Sequence, residues 1–441
     1  MPIKVGMVSL GCSKNQVDAE HILFDLRQFG YELCVDSGIC DAVVINTCGF
    51  IEEAKQEAIE NILEFVKLKE EGKIKVIAVT GCLAERYQKE LVSEIPEIDI
   101  VLGIGSNKEL PAAIERALKG EKTVKFGNKS DLSLEGGRII SNLPFYAYLK
   151  IAEGCNNCCT YCAIPQIRGK YRSRTIESIV KEAEYFAENG VTELIVVAQD
   201  TTLYGVDLYK EPKLPQLLKA LCEIKNIKWI RLLYTYPDKI TDELIDTVAN
   251  EPKIVKYFDI PLQHVSDNVL KRMNRSGNRE FYLSLIKKIR DRIPGVILRT
   301  TFLTGFPGET EKDFEELCEF ADEVRFERLG CFAFSPEEGT PAAEMPDQID
   351  DEIKRRRSDL IMTKQMTVIE KFNESQIGKT LEVVVEGYDK YAGGYFGRSA
   401  YDAPDIDAKV FFSCDHRITV GDYINVHITD TLEYDLLGEA E

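Results

Sequence analysis

No run of about 18 uncharged apolar residues occurs in the 441-residue chain, which excludes a membrane-spanning helix from the reading. The opening MPIKVGMVSLGC lacks a basic segment followed by an apolar stretch and a small-residue cleavage site. No secretory signal is therefore expected, and a cytoplasmic location is. Basic residues are also in short supply, 55 Lys and Arg against 74 Asp and Glu, for a net charge of −19. Nucleic-acid binding through phosphates needs a basic footprint, so this balance favours a basic partner. Histidine is rarer still, with four copies. His264, alone near a strand end, reads as hydrogen-bonded structure rather than a metal ligand.

Cysteine is plentiful by contrast. Thirteen in a long chain without a secretory signal point to metal binding or thiol chemistry rather than disulfides. Cys155, Cys159 and Cys162 stand in a C-x3-C-x2-C spacing just after the strand-like run Ala147 to Ile151. Thiolates are soft ligands that suit zinc or an iron–sulfur cluster. Three of them leave one iron of a 4Fe-4S cluster open to a small chelating molecule, the arrangement by which S-adenosylmethionine is cleaved to a radical. Cys158 adds a fourth thiol within the same eight residues. A four-thiolate zinc site places a long insert between its two pairs, and none is present, so Cys158 reads as a bystander.

Upstream, apolar runs at Lys4 to Leu10, Asp41 to Asn46, Val76 to Thr80 and Ile98 to Leu102 alternate with helical periods at Val17 to Phe29 and Glu52 to Lys69. That alternation predicts a doubly wound parallel sheet. Cys12, Cys48 and Cys82 each follow one of these strands. The carboxyl ends of parallel strands share one edge, where ligands bind, so the three thiols are expected to converge. On spacing alone, a second metal site and three buried small hydrophobes are equally supported. Cys34, Cys40, Cys222, Cys318, Cys331 and Cys414 lack this placement and read as packing residues.

Gly120 to Asn142 reads as a linker. Six strand candidates with intervening helices follow, at Ala147 to Ile151, Glu193 to Ala198, Trp229 to Tyr234, Phe258 to Pro261, Ile297 to Leu303 and Gly330 to Phe334. Six units are too few for a closed eight-fold barrel and fit an open partial one. Functional groups in such barrels lie on the loops after the strands. This makes Gln199, Asp200 and Thr201 candidates for the amino group or ribose of a cofactor. In TGFPGET, Gly305 and Gly308 permit close backbone approach to a ligand, with Glu309 beside them. The basic run Arg168, Lys170, Arg172 and Arg174 has two readings, contact with a carboxylate of cofactor or substrate, or a solvated loop. Asp350 to Gln376 reads as a charged connecting helix. Beyond it, LEVVVEG, KVFFS and DYINVHI predict a small antiparallel barrel. Residues 376–441 carry 5 basic against 13 acidic side chains, a surface suited to a basic protein.

The loop GCNNCCTYCAIPQIRG resembles the cluster-binding loop of radical-SAM methylthiotransferases. GCSKNQVDAE, NTCGFIEEA and GCLAER resemble the segments that bind their auxiliary cluster, with Ser13 where many members have proline. The resemblance covers nearly the whole chain. It implies an α/β multidomain protein with a methylthiotransferase domain at 1–125, a radical-SAM partial (β/α)6 barrel at 143–372 and a TRAM domain at 376–441. It further implies two 4Fe-4S clusters, held by Cys12, Cys48 and Cys82 and by Cys155, Cys159 and Cys162, with S-adenosylmethionine near Gln199, Asp200, Gly305, Gly308, Glu309 and Arg174. AQDTTLYGVDLY, YTYPDKITDELID, YFDIPLQHVSD and FSPEEGTPAA resemble the branch that modifies an aspartate β-carbon in small-subunit ribosomal protein twelve. That branch implies a one-electron donor such as flavodoxin or ferredoxin, a sulfur donor, and a monomer as the default. The rival readings are the branch that modifies transfer-RNA adenosine and a non-catalytic zinc or thiol scaffold.

Overall fold

Three units appear in turn along the computed structural model, which describes residues 2–441. In the first, β1 (Lys4–Ser9), β2 (Glu32–Cys34), β3 (Ala42–Thr47), β4 (Val76–Gly81), β5 (Ile100–Leu102) and β6 (Thr123–Lys125) form one parallel sheet in the order β2-β1-β3-β4-β5-β6. The central strands are buried along their whole length because helices cover both faces, as parallel sheets require. Two strands escape the sequence reading. Glu32–Cys34 is too short to show a period, and Thr123–Lys125 falls in the stretch read as a linker but completes the sheet beside Ile100–Leu102.

In the second unit, β7 (Tyr146–Lys150), β8 (Glu193–Val197) and β9 (Trp229–Leu232) pair in parallel, as do β10 (Tyr257–Asp259), β11 (Ile297–Thr304) and β12 (Arg328–Ala333). A parallel bridge from Ile230 to Ile254 links the two halves, giving the six-stranded open barrel. Outward side chains such as Leu149, Leu194, Ile230 and Leu298 pack under the surrounding helices. The helix Asp351–Glu374, read as a connector, lies against β12 and buries Lys354, Arg357 and Ile361. It therefore acts as the covering helix of the sixth unit.

The third unit is a closed five-stranded barrel of β13 (Thr380–Asp389), β14 (Gly394–Ser399), β15 (Val410–Ser413), β16 (Tyr423–Leu432) and β17 (Asp435–Ala440). It differs from the fully antiparallel expectation in one pair. Val410 meets Leu436 in parallel register, because the long β16–β17 hairpin turns the last strand back beside β15. Charged side chains of this unit reach the second. Asp402 pairs with Arg328 at 2.5 Å, Asp407 accepts from Tyr257 at 2.6 Å, and Arg398 donates to Glu193 at 2.8 Å. Part of the acidity counted in the sequence is thus spent inside the molecule, fixing the terminal barrel to the partial one.

Candidate active site

Cys12, Cys48 and Cys82 follow β1, β3 and β4, three neighbouring strands of one edge. Cys12 precedes the helix Ser13–Gln28, and Cys82 is the first residue of the helix Cys82–Glu94. Helix N-termini favour a thiolate there. The turns depend on glycine. Gly11 has φ +91°, and a Cβ on it would stand 2.7 Å from the Cβ of Cys48. Gly81, at φ +94°, would clash with the Thr47 carbonyl at 2.4 Å. Asn15 fastens the strand ends together, its amide donating to the carbonyls of Leu10 at 2.6 Å, Thr47 at 3.3 Å and Asn46 at 3.4 Å.

Burial pushes the Cys82 thiol up to about 12, against the pull of Arg168, and also raises Cys48. At Cys12, desolvation raises the thiol, but Lys14 and Arg168 outweigh it and hold it below the ordinary value. Cys12 keeps accessible surface, whereas Cys48 and Cys82 are buried.

The second trio lies on the loop after β7. The N–H of Cys155 donates to Gly169 at 3.2 Å and that of Cys162 to Cys159 at 3.0 Å. Thr160 ties the loop to Met273 at 3.0 Å and to Arg272 at 2.9 Å. Burial raises Cys155 to about 11 and Cys162 to about 12, and the thiols raise one another further. Cys158 is exposed, at φ +51°.

The spacing of the thiols bears on the metal. Tetrahedral zinc with Zn–S of about 2.3 Å brings its sulfurs to about 3.8 Å of each other. Among the described residues, the one group of three Cys, His, Asp or Glu ligand atoms within 4.8 Å of one another is Cys414, Asp415 and His416, outside both trios. Neither trio is gathered that tightly. Of the remaining cysteines, Cys40, Cys222 and Cys331 are buried, and Cys34, Cys318 and Cys414 partly so.

The candidate cofactor residues have different surroundings. Asp200 accepts from Asn157 of the cysteine loop at 2.8 Å and from Lys239 at 2.9 Å. Gln199 donates to Glu153 at 2.7 Å, while its buried Oε1 has no partner. The Thr201 hydroxyl is occupied by the carbonyls of Leu233 and Tyr234. Gly305 and Gly308 hold positive φ and lie closest to Lys354 and Arg272. Glu309 closes their turn, accepting from Gly305 at 2.7 Å and Arg357 at 2.8 Å. His264 is buried and accepts from the Ser266 N–H at 3.0 Å; burial lowers it to about 3, as a structural histidine.

The basic run divides. Arg172 donates to backbone carbonyls of residues 129–132. The sequence expectation of cofactor contact at Arg174 finds its donors already occupied by Glu135, Glu182, Ser178 and the Lys150 carbonyl. Arg168 enters the first trio, donating to Cys82 Sγ at 3.3 Å. Sequence reasoning missed Arg275, which donates to Cys159 Sγ at 3.7 Å, and the buried pair of Lys150, at the end of β7, and Glu153, three residues on. Two charges within the apolar run YAYLKIAEG were the available signal for the latter pair.

A parallel partial barrel with three thiols on its first loop, joined to a thiol-bearing α/β sheet, defines the radical-SAM class. The Radical SAM superfamily profile matches residues 149–321, the Uncharacterized protein family UPF0004 profile residues 4–103 and the TRAM domain profile residues 377–440. The chain is 50% identical over 436 residues to the ribosomal protein uS12 methylthiotransferase RimO of Caldanaerobacter subterraneus subsp. tengcongensis, covering 99% of both chains. It is equally 50% identical to the RimO of Clostridium novyi, covering 99% of this chain and 97% of that one. The chain belongs to this methylthiotransferase family. Among solved structures, the radical S-adenosylmethionine methyltransferase TsrM from Kitasatospora setae shares the fold with a TM-score of 0.60 at 15% identity, over 78% of this chain and 77% of that one.

Proposed function

We propose that this chain transfers a methylthio group to the β-carbon of an aspartate in ribosomal protein uS12, using two 4Fe-4S clusters and S-adenosylmethionine. The observation that carries the reading is the 50% identity, over 99% of this chain, to enzymes named for that activity. When bound, the clusters and S-adenosylmethionine supply radical hydrogen abstraction and sulfur transfer, chemistry that no acid or base side chain performs on an unactivated carbon.

The chain's own residues bind and orient. Cys155, Cys159 and Cys162 would hold the radical cluster. Cys12, Cys48 and Cys82 hold the auxiliary cluster. The unpartnered Oε1 of Gln199 would be available to accept from the cofactor's amino group, and Asp200, fixed by Lys239 and Asn157, keeps the cysteine loop in register with the end of β8. Acidic side chains left exposed on the terminal barrel attract the basic substrate protein. A flavodoxin- or ferredoxin-type donor provides the electron, a sulfide source the sulfur, and a ribosomal substrate places the reaction in the cytoplasm.

The test is mass spectrometry of uS12, free or in its ribosomal subunit, after anaerobic incubation with reconstituted enzyme, reductant, sulfide and S-adenosylmethionine. The expected product gains methylthio in place of hydrogen on one aspartate, and Cys155→Ala abolishes it. Modification of transfer-RNA adenosine instead would overturn the substrate.

A further inference from the structure

Arg168 ends the short helix that leaves the barrel's cysteine loop, Ile164–Arg168, yet its guanidinium lies in the thiol site of the other domain. It is 2% exposed. One terminal nitrogen donates to Cys82 Sγ at 3.3 Å and to Asn15 Oδ1 at 3.1 Å; the other donates to Asp18 at 2.5 Å and Glu153 at 3.3 Å. Asn15 is the residue that fastens the strand ends bearing Cys12 and Cys48. Gly169, the next residue, accepts the Cys155 N–H. Two consecutive residues therefore bond to one cysteine of each trio.

The charges around this fork are balanced without the sulfur. Lys150 and Arg168 share the two carboxylates of Asp18 and Glu153, with Lys150 at 2.5 and 2.9 Å. The donor aimed at Cys82 is not needed to satisfy an ion pair. An N–H directed at a ligand sulfur withdraws electron density from it, and hydrogen bonds to sulfur are one of the means by which a protein sets a cluster's potential.

We propose that Arg168, supplied by the radical-SAM barrel, donates to the Cys82 sulfur of the auxiliary cluster and raises that cluster's reduction potential. The added proton density favours the reduced, more negative state. The proposal rests on the reading that Cys12, Cys48 and Cys82 hold a cluster, and the experiment separates the two.

Full-length protein with Cys155, Cys159 and Cys162 all replaced by Ala is reconstituted anaerobically, so that only the auxiliary cluster forms, and is titrated under EPR. Arg168→Gln is expected to lower the midpoint by about 59 mV or more, a tenfold change in a one-electron equilibrium. Arg168→Lys retains the charge but not the fork, and is expected to shift it in the same direction by less. Unchanged midpoints in variants that keep their iron overturn the proposal. Should Arg168→Gln fail to fold, the protein with Arg168 intact decides the matter. With arginine labelled by 15N in its guanidino group, pulsed EPR of the reduced cluster is expected to show a 15N coupling that disappears in Arg168→Lys, and no coupling overturns the proposal. Absence of any cluster in the triple-Ala protein instead removes the site itself, and the proposal with it.

Discussion

Glu337 and Arg86 form an ion pair of 2.9 Å with side chains 4% and 7% exposed, and the pair joins two domains. Glu337 belongs to the loop after β12. Arg86 lies one helical turn beyond Cys82 and also donates to the carbonyls of Gly49 at 2.9 Å and Glu338 at 2.7 Å. Lys55 reaches the same Glu337 oxygen at 3.2 Å. One carboxylate thus restrains the helix that begins at Cys82 and, through Lys55, the helix Glu52–Glu70 that follows Cys48.

Glu337→Gln should therefore misalign the trios without removing either. Stripping one partner from a buried pair costs about 3–5 kcal/mol, so a lower melting temperature is expected. Iron content should hold at two clusters while methylthio product per 5′-deoxyadenosine released falls. An unchanged ratio would refute the alignment role.

Separate cysteine variants should divide the iron. Cys155→Ala and Cys82→Ala are each expected to lose about half of it, since each removes a ligand of one 4Fe-4S cluster. Only Cys155→Ala should abolish S-adenosylmethionine cleavage. Metal analysis and 5′-deoxyadenosine assays check both statements.

Glu309 predicts a pH-dependent stability. Burial raises its carboxyl from 4.5 to about 7, despite Arg357 and the N–H groups of Gly305 and Phe306. Between those values the folded chain holds a proton that the unfolded chain has released. Stability from this group is present below about pH 4.5 and lost as pH rises through 7, by roughly 3 kcal/mol. Urea unfolding of the cluster-free protein should show this slope between pH 5 and 8, as the order of the two values requires, and Glu309→Gln should flatten it.

Glu193 bonds Arg231 at 3.1 Å and Arg398 at 2.8 Å, all essentially inaccessible. Glu193→Ala leaves the buried Arg231 without a carboxylate and Arg398 with Glu386 alone, a loss of about 3–5 kcal/mol. The terminal barrel is expected to loosen from the partial one, and limited proteolysis should then cut near residues 375–379. Resistance equal to that of the unaltered protein would argue against this docking role.

The chain's order of elements and its thiols are written locally. Alternating apolar runs and helical periods place Cys12, Cys48 and Cys82 at strand ends, and a C-x3-C-x2-C loop needs only eight residues to declare itself. Strand direction then dictates that such residues share an edge. What no local pattern could reveal is which side chains from one domain enter the site of another. Arg168, Lys170, Arg172 and Arg174 look alike along the chain, yet Arg168 lies against Cys82 while Arg174 faces Glu135 and Glu182. Arg86 in GCLAER and Glu337 in FSPEEGTPAA meet only after the domains pack, and Arg275 reaches Cys159 only once the barrel has closed around the cysteine loop. The sequence by itself determined the strands, the thiol sets and the acidic terminal barrel, because propensity, periodicity and ligand spacing act over a few residues. Tertiary structure alone decided the buried ion pairs and the donors to sulfur, because a charge leaves water only where distant segments bring a partner to meet it.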